Sequence, residues 1–477
     1  MIFTQARAGM RMTVLDRRMM LKLLGVGVGA AAFSGGAMAR VMTPPQADPP
    51  PTFGGTRLRQ QIAAYVAAAR FEDLPPAVVE KAKEQIVFFF GRAFASASSA
   101  RARHALEFAQ QIGRMTDQAG GAASIIGDRL RLAPADAALV NASLFGDSLS
   151  LRALLNDAIH PGVVTLPAAL AIGEIRRVSG RELLLALVLG YEVLGKLGQA
   201  APSTCRSTSI VAGYAATAAA GRLFALDREH MLDALQYASG PCIHAEQDAT
   251  AELYPGVITR NGMFAAHLAH ADAHEGEPRA HCSPFADAGA ELPDSIDELG
   301  YWEILTTLQR PYRTTGNDAA AVELLTDLIE THQLSERSVS TIEVVLPASG
   351  SRARDMELAA RGPFKSACLA DDGLANDPRV SHLTQAVEVS FENGHGSRWA
   401  RVTVHMRDGR KLERERDFFT YDLPPDMWHD WLCTSGRRLF QSGQLLQLTR
   451  VIHNLEMVED VSQLLTAATP LQHTIKT

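Results

Sequence analysis

Charge is scarce in this chain. Only 21% of its 477 residues are charged, and the formal charge of −7 is dispersed with no basic stripe, so nothing offers itself to a phosphate backbone and nucleic acid is excluded as a partner. Cysteine is equally sparse: Cys205, Cys242, Cys282, Cys368 and Cys433 stand at wide, irregular spacings, which excludes a C-x-x-C metal knuckle and a dense disulfide framework. No G-x-S-x-G elbow or H-E-x-x-H helix is present, and the glycines of "GVGVGAAA" follow no strand and precede no Lys-Ser/Thr, so they are no phosphate loop. The apolar stretch Leu23 to Phe33 falls short of the roughly 20 residues a bilayer span needs, so no stable membrane span is expected. What is abundant is apolar side chain, 47% of residues, enough at this length for sizeable cores and a two-domain expectation.

The first 39 residues read as an export signal, with a basic start, an apolar middle and small residues at the exit. Asp16-Arg17-Arg18-Met19-Met20-Leu21-Lys22 resembles the twin-arginine consensus, and Ala37-Met38-Ala39 supplies an A-x-A cleavage pattern. The expectation is cleavage after Ala39 and a periplasmic protein delivered by the twin-arginine machinery. Removal takes five cations and one carboxylate, leaving a more acidic chain. Residues 40–56, with "PPQADPPPTFGG", read as a Pro-rich spacer.

From Arg57 the texture is helix after helix. "LPPAVVEKAKEQIVFFFGRAFA" opens on proline and repeats apolar residues at Val78, Val79, Ala82, Ile86, Phe89 and Phe90, the 3.6-residue period. "APADAALVNASLFGDSL" puts Pro134 and Asp136 in a first turn, and "GRELLLALVLGYEVLGKLGQ" and "GYAATAAAGRLFALDREHMLDALQYASG" are so rich in Ala and Leu that they predict buried, closely packed helices. Beyond about residue 300, a helix at "DAAAVELLTDLIETHQL" precedes alternating strands at "VSTIEVVLP", "AVEVSFE" and "WARVTVHMRDGRKLERE", the last turning at Asp408-Gly409. Helical period returns from "MWHDWLCTSGRRLF" onward. The fold class is mainly α: a large all-helical domain over 57–300, a smaller α+β lid domain over 301–424, and C-terminal helices over 425–477 returning to the helical domain.

Within "LNDAIHPGVVTLPAALAIGE", His160 stands before Pro161 and an apolar helix. By itself it is either a residue that starts a helix or an imidazole delivered to a helix mouth. "APADAALVNAS", "HPGVVTLPAALAIGE", "SGRELLLALVLGYEV" and "GYAATAAAGRLFALDREHMLDAL" occur in one order, and on these motifs the sequence resembles the MmgE/PrpD family over about residues 57 to 345. The resemblance implies a helical domain with an α+β lid, a homodimer, no metal and no other cofactor, and lyase or isomerase chemistry on a small di- or tricarboxylate. Such reactions move a proton on the carbon next to a carboxylate, which His160 can do.

The match also shows losses. Where the family carries an acidic stretch ahead of its His, this chain has Ser150, Leu151, Arg152, Ala153 and Leu154; a family His falls on Arg206, a Lys on Ala251, a Lys on Arg310 and a His on Thr315. Asp147 or Asp157 could replace a lost carboxylate, and Asn156 could donate a hydrogen bond. Arginine binds carboxylates well and abstracts protons badly. The candidate site is therefore His160 as acid or base, with Arg152, Arg206, Arg310, Ser150 and Asn156 binding substrate, and two readings stay open: a lyase with an altered acid-base set, or an exported carboxylate-binding pseudoenzyme. His267, His270 and His274, with Glu275, His281 and Cys282 close behind, have metal-ligand spacing, but they read as surface histidines near a helix end and no metal site is assigned.

Overall fold

The computed structural model describes residues 54–97, 99–115, 123–145, 161–200, 208–238, 253–271, 302–307, 319–332, 334, 337–347, 386–395, 399–417 and 425–471. These residues are mostly helical with a small sheet. The chain enters α1 (Gly54–Ala68) three residues inside the stretch read as spacer. A 3-10 turn (Phe71–Asp73) leads to α2 (Pro76–Ser96), then α3 (Ala100–Met115). β1 (Ala123–Ser124) and β2 (Arg131–Leu132) pair antiparallel, so the helical region is not wholly helical as its texture suggested; two-residue strands are too short to show alternation. Then come α4 (Pro134–Ser143), α5 (Pro161–Arg176), α6 (Gly180–Ala200), α7 (Thr208–Leu223), α8 (Arg228–Ala238) and α9 (Tyr254–His270).

The starts of these helices follow from sequence. Pro76, Pro134 and Pro161 occupy first-turn positions, where a missing N–H costs nothing. Ser179 and Glu182 form a reciprocal cap on α6: the Glu182 amide donates to Ser179 Oγ at 3.3 Å, and the Ser179 amide to Glu182 Oε2 at 3.0 Å. Asp227 accepts from the His230 amide at 2.9 Å and starts α8, so the run from Gly213 to Gly240 is two helices separated at Ala225, whose φ is +57°.

Helix α2 is largely buried, with Phe88, Phe89 and Phe90 all in the core and the ring of Trp431 stacked on Phe88 at 5.6 Å. Trp431 belongs to α11 (Trp428–Gly436), which is followed by α12 (Ser442–His453) and α13 (Ser462–Ala467); Trp428, Leu432, Leu448, Ile452 and Leu464 share the core of α1 to α9. Lys83, 2% exposed, ties α2 to this tail by donating to the His453 carbonyl at 2.9 Å and pairing with Glu456 at 2.7 Å. A 3-10 turn, Glu303–Thr306, also packs here, with Ile304 fully buried in the same core although the texture changes near residue 300.

A second hydrophobic cluster unites α10 (Ala319–His332) with a four-stranded sheet of β3 (Val339–Pro347), β4 (Val387–Glu392), β5 (Trp399–Met406) and β6 (Lys411–Asp417) in the order β4-β3-β5-β6. β3 pairs parallel with β4 and antiparallel with β5. Leu324, Leu325 and Leu328 of α10 cover Ile342, Val344, Val402 and Val404, and β6 guards its edge with charge, as edge strands do. Among the described residues no helix is long and apolar enough to cross a membrane.

Candidate functional site

His160, Arg152, Arg206, Arg310, Ser150 and Asn156 all lie outside the described residues, and so do Asp147, Asp157, Ala251 and Thr315. Their described flanks, however, converge. Arg176, last residue of α5, sits 5.8 Å over the ring of Phe224, the residue after α7, and that ring stacks at 4.8 Å on His270, the last residue of α9. These three helices therefore finish together. They also run together: Thr217 Oγ1 of α7 donates to the Gly262 carbonyl of α9 at 3.2 Å, and Gly190 of α6 lies against both Thr165 of α5 and the Ala215 carbonyl of α7. With lengths of 16, 16 and 17 residues, α5, α7 and α9 begin at one common end.

The intervening helices run the other way and finish there. Gly256, in the first turn of α9, abuts Leu139 and Ser143 of α4; Ala238, last residue of α8, faces Gly213 in the first half of α7; α6 returns from α5 after a short turn at Arg177. The links 146–160, 201–207 and 239–252 thus join helix ends at this one end. Residue 308 follows Thr307, whose turn packs here as well, because Glu303 lies against the backbone of Gly195 near the end of α6. In sequence, Ser150, Arg152, Asn156 and His160 fall between α4 and α5, Arg206 between α6 and α7, and Arg310 after Thr307. Three helix N-termini here supply partial positive charge and first-turn N–H donors, a setting that favours anions by about 0.3–1 kcal/mol per helix.

A buried polar layer underlies this end. Tyr191 of α6, 1% exposed, donates its hydroxyl proton to Gln85 Oε1 of α2 at 2.9 Å, and its oxygen accepts the Gly162 amide of the first turn of α5. Burial pushes the Tyr191 phenol well above the usual range, opposed by the Gly162 bond and reinforced by Glu84, so it stays neutral. Beside it, Glu192 Oε1 accepts the Ile304 amide at 3.3 Å, and Glu192 Oε2 is 3.8 Å from Lys196 Nζ. Burial lifts Glu192 to about 8; Lys196 opposes and Glu303 reinforces the rise. Only a glycine at 195 leaves room for the Glu303 carboxyl, which lies 2.5 Å from where a Cβ would stand. Lys81, one turn before Gln85, and Glu84, its neighbour, form a buried pair at 3.1 Å. The Gln85 Nε2 and Thr307 Oγ1 atoms are buried with no hydrogen-bond partner among the described residues.

None of this layer was singled out from sequence as functional. Tyr191 lies in the motif "SGRELLLALVLGYEV", but the Tyr191–Gln85 bond spans 106 positions, which no local spacing reveals. His267 and His270 are exposed on the last turn of α9 against Phe224, and burial with the nearby Arg176 pushes His270 down; His274, Glu275, His281 and Cys282 lie outside the described residues. Among the described residues no three His, Cys, Asp or Glu side chains are grouped to hold a metal. His429 Nε2 approaches Cys433 Sγ at 3.4 Å, but burial, with Asp430, pushes that thiol up, so it is a poor nucleophile.

Fold and site together define a mainly helical protein with one polar, anion-favouring end. Residues 60–280 match the MmgE/PrpD N-terminal domain, and with the relatives that follow this places the chain in the MmgE/PrpD family. It is 27% identical over 300 residues to a cis-aconitate decarboxylase of Aspergillus terreus, covering 56% of this chain and 59% of that protein. It is 25% identical to the human cis-aconitate decarboxylase, covering 71% of this chain and 80% of that one. A cis-aconitate decarboxylase-like protein of Aspergillus oryzae is 26% identical over 85% of this chain and 96% of its own length.

Proposed function

We propose that this protein is a lyase of the MmgE/PrpD type acting on a small tricarboxylate of the cis-aconitate class. The observation that carries the reading is the convergence of helix ends: α5, α7 and α9 start, and α4, α6 and α8 stop, at one end of the helical region. In this reading His160, directly ahead of α5, transfers the proton on the carbon beside a carboxylate. Arg152, Arg206 and Arg310, with Ser150 and Asn156, hold the carboxylates, each arginine by paired N–H donors. The names of the relatives support the substrate class, and the helix N-termini support its charge. The family carboxylates replaced at Ser150, Arg152 and Ala153 favour a second reading, an anion binder without turnover.

Incubation of the purified protein with cis-aconitate and related di- and tricarboxylates, followed by NMR, separates the two. Loss of carbon dioxide or addition or loss of water identifies the lyase; a thermal shift with no product identifies the binder; neither response removes the carboxylate reading. Export through the twin-arginine route to the periplasm and assembly as a homodimer are part of the same proposal, resting on Arg17, Arg18 and the family.

A further inference from the structure

Burying a carboxyl removes hydration that only hydrogen bonds or an opposite charge restore, so short turns dock most readily through apolar side chains. In the turn Glu303–Thr306 the apolar contribution is small: Ile304 is fully buried, while Leu305 is 42% exposed. The other buried side chains of this stretch are polar, Glu303 and Thr307. The Glu303 carboxyl occupies the space left by the missing side chain of Gly195 on α6. Three residues earlier, on the same face of that helix, stands Glu192, and both glutamates are 1% exposed. Glu192 accepts the amides of Ile304, at 3.3 Å, and of Glu303. Two carboxyls and the first N–H groups of the turn therefore meet in one buried place.

We propose that Glu192 and Glu303 form a pH-operated latch: they hold the turn against α6 while Glu192 keeps its proton, and the turn lifts from α6 when that proton leaves to water. Lys196, 3.8 Å away, and the two amides favour the charged form of Glu192, but burial outweighs them and Glu303 adds repulsion, so the docked carboxyl is lifted from 4.5 to about 8. Helix α2, packed against both α6 and the turn, brings three buried cations: Lys81, paired with Glu84; Lys83, paired with Glu80 and Glu456; and Arg92. Helices α5 and α7 carry Glu174, Arg176 and Arg222 at the opposite end, with Tyr214 as their other titratable group. The turns Phe71–Asp73 and Leu455–Met457 meet the opening of α6, where Glu72 pairs with Arg181. A lifted turn returns Glu192 to water and to the ordinary carboxylate range. The docked state thus holds the proton more tightly, and docking is whole below pH 4.5, weakens as pH rises, and is weakest above about 8. In sequence the turn is the last described element before α10, so the latch bears on the connection between the two hydrophobic clusters.

Hydrogen exchange read by mass spectrometry on the full chain, from pH 5.5 to 8.5 and corrected for the intrinsic rise of exchange with pH, tests the latch on peptides covering residues 302–307. Protection there is expected to fall about 10- to 100-fold across this range in the wild type, one ionising group allowing at most about tenfold per pH unit. Peptides from β3 and β5 should keep theirs. Glu192→Gln, which retains an acceptor for the Ile304 amide and cannot ionise, should hold protection of the turn constant with pH. Glu303→Gln removes the like charge and should shrink the fall, and it decides the matter if Glu192→Gln does not fold. Wild-type protection that is constant with pH overturns the proposal, and so does an equal fall in wild type and in the deciding variant. A loss of protection in β3 and β5 in step with the turn is unfolding of the whole chain and overturns it as well.

Discussion

Glu192 offers the most quantitative handle on the buried layer. It is 1% exposed, and burial lifts its carboxyl from 4.5 to about 8, so the folded protein holds this proton more tightly than the unfolded chain does. The associated stability is therefore whole below pH 4.5, declines as pH rises, and is lost by about pH 8. One pH unit corresponds to about 1.4 kcal/mol, so ionising the unfolded chain by pH 7 withdraws up to about 3 kcal/mol. Glu192→Gln removes this term while keeping an acceptor for the Ile304 amide; it also forfeits the attraction of Lys196 at 3.8 Å. A net gain of about 2 kcal/mol at pH 7–8 remains, which for a chain of this length is a rise of about 2 °C in Tm. Circular-dichroism melts of wild type and variant from pH 5 to 9 measure it. The gap should be small at pH 5 and widen to pH 8. A gap that does not change with pH, or a variant less stable at pH 8, would refute the account of a carboxyl kept protonated by burial.

Three further outcomes follow from the sequence and the packing. Gly195→Ala sets a Cβ 2.5 Å from the Glu303 carboxyl, and should lower stability by about 1–3 kcal/mol in denaturant titrations. Lys83→Met leaves Glu456 without its 2.7 Å partner on α2, and should loosen α12 and the turn after it, seen as faster hydrogen exchange over residues 450–458. Replacing both Arg17 and Arg18 with Lys should hold the protein in the cytoplasm, and equal periplasmic yield of that variant would remove the twin-arginine assignment.

Legibility in the sequence tracked the range of the interactions. The 3.6-residue period of α2, the S-x-x-E cap of α6 and the turn at Gly409, whose φ is +89°, are local, and each was readable from a dozen residues. β1 and β2 were not, being too short for a period, and the parallel pairing of β3 with β4 is decided by a contact across some forty intervening residues. The break at Ala225 was hidden because alanine and leucine continue through it. At the site, residue types and family order nominated His160 and the arginines. Tyr191, Gln85, Glu192 and Glu303 escaped because their partners are distant in sequence, and only packing shows which polar atoms meet.

The most direct test of the central claim compares wild type and His160→Gln for cis-aconitate binding by thermal shift and for product formation by NMR. The account predicts that both proteins bind the tricarboxylate and that the variant's turnover falls by about 10²–10⁴-fold, the usual loss with a general acid or base. Undiminished turnover in His160→Gln, or a wild type that neither binds nor converts any tricarboxylate, would contradict it.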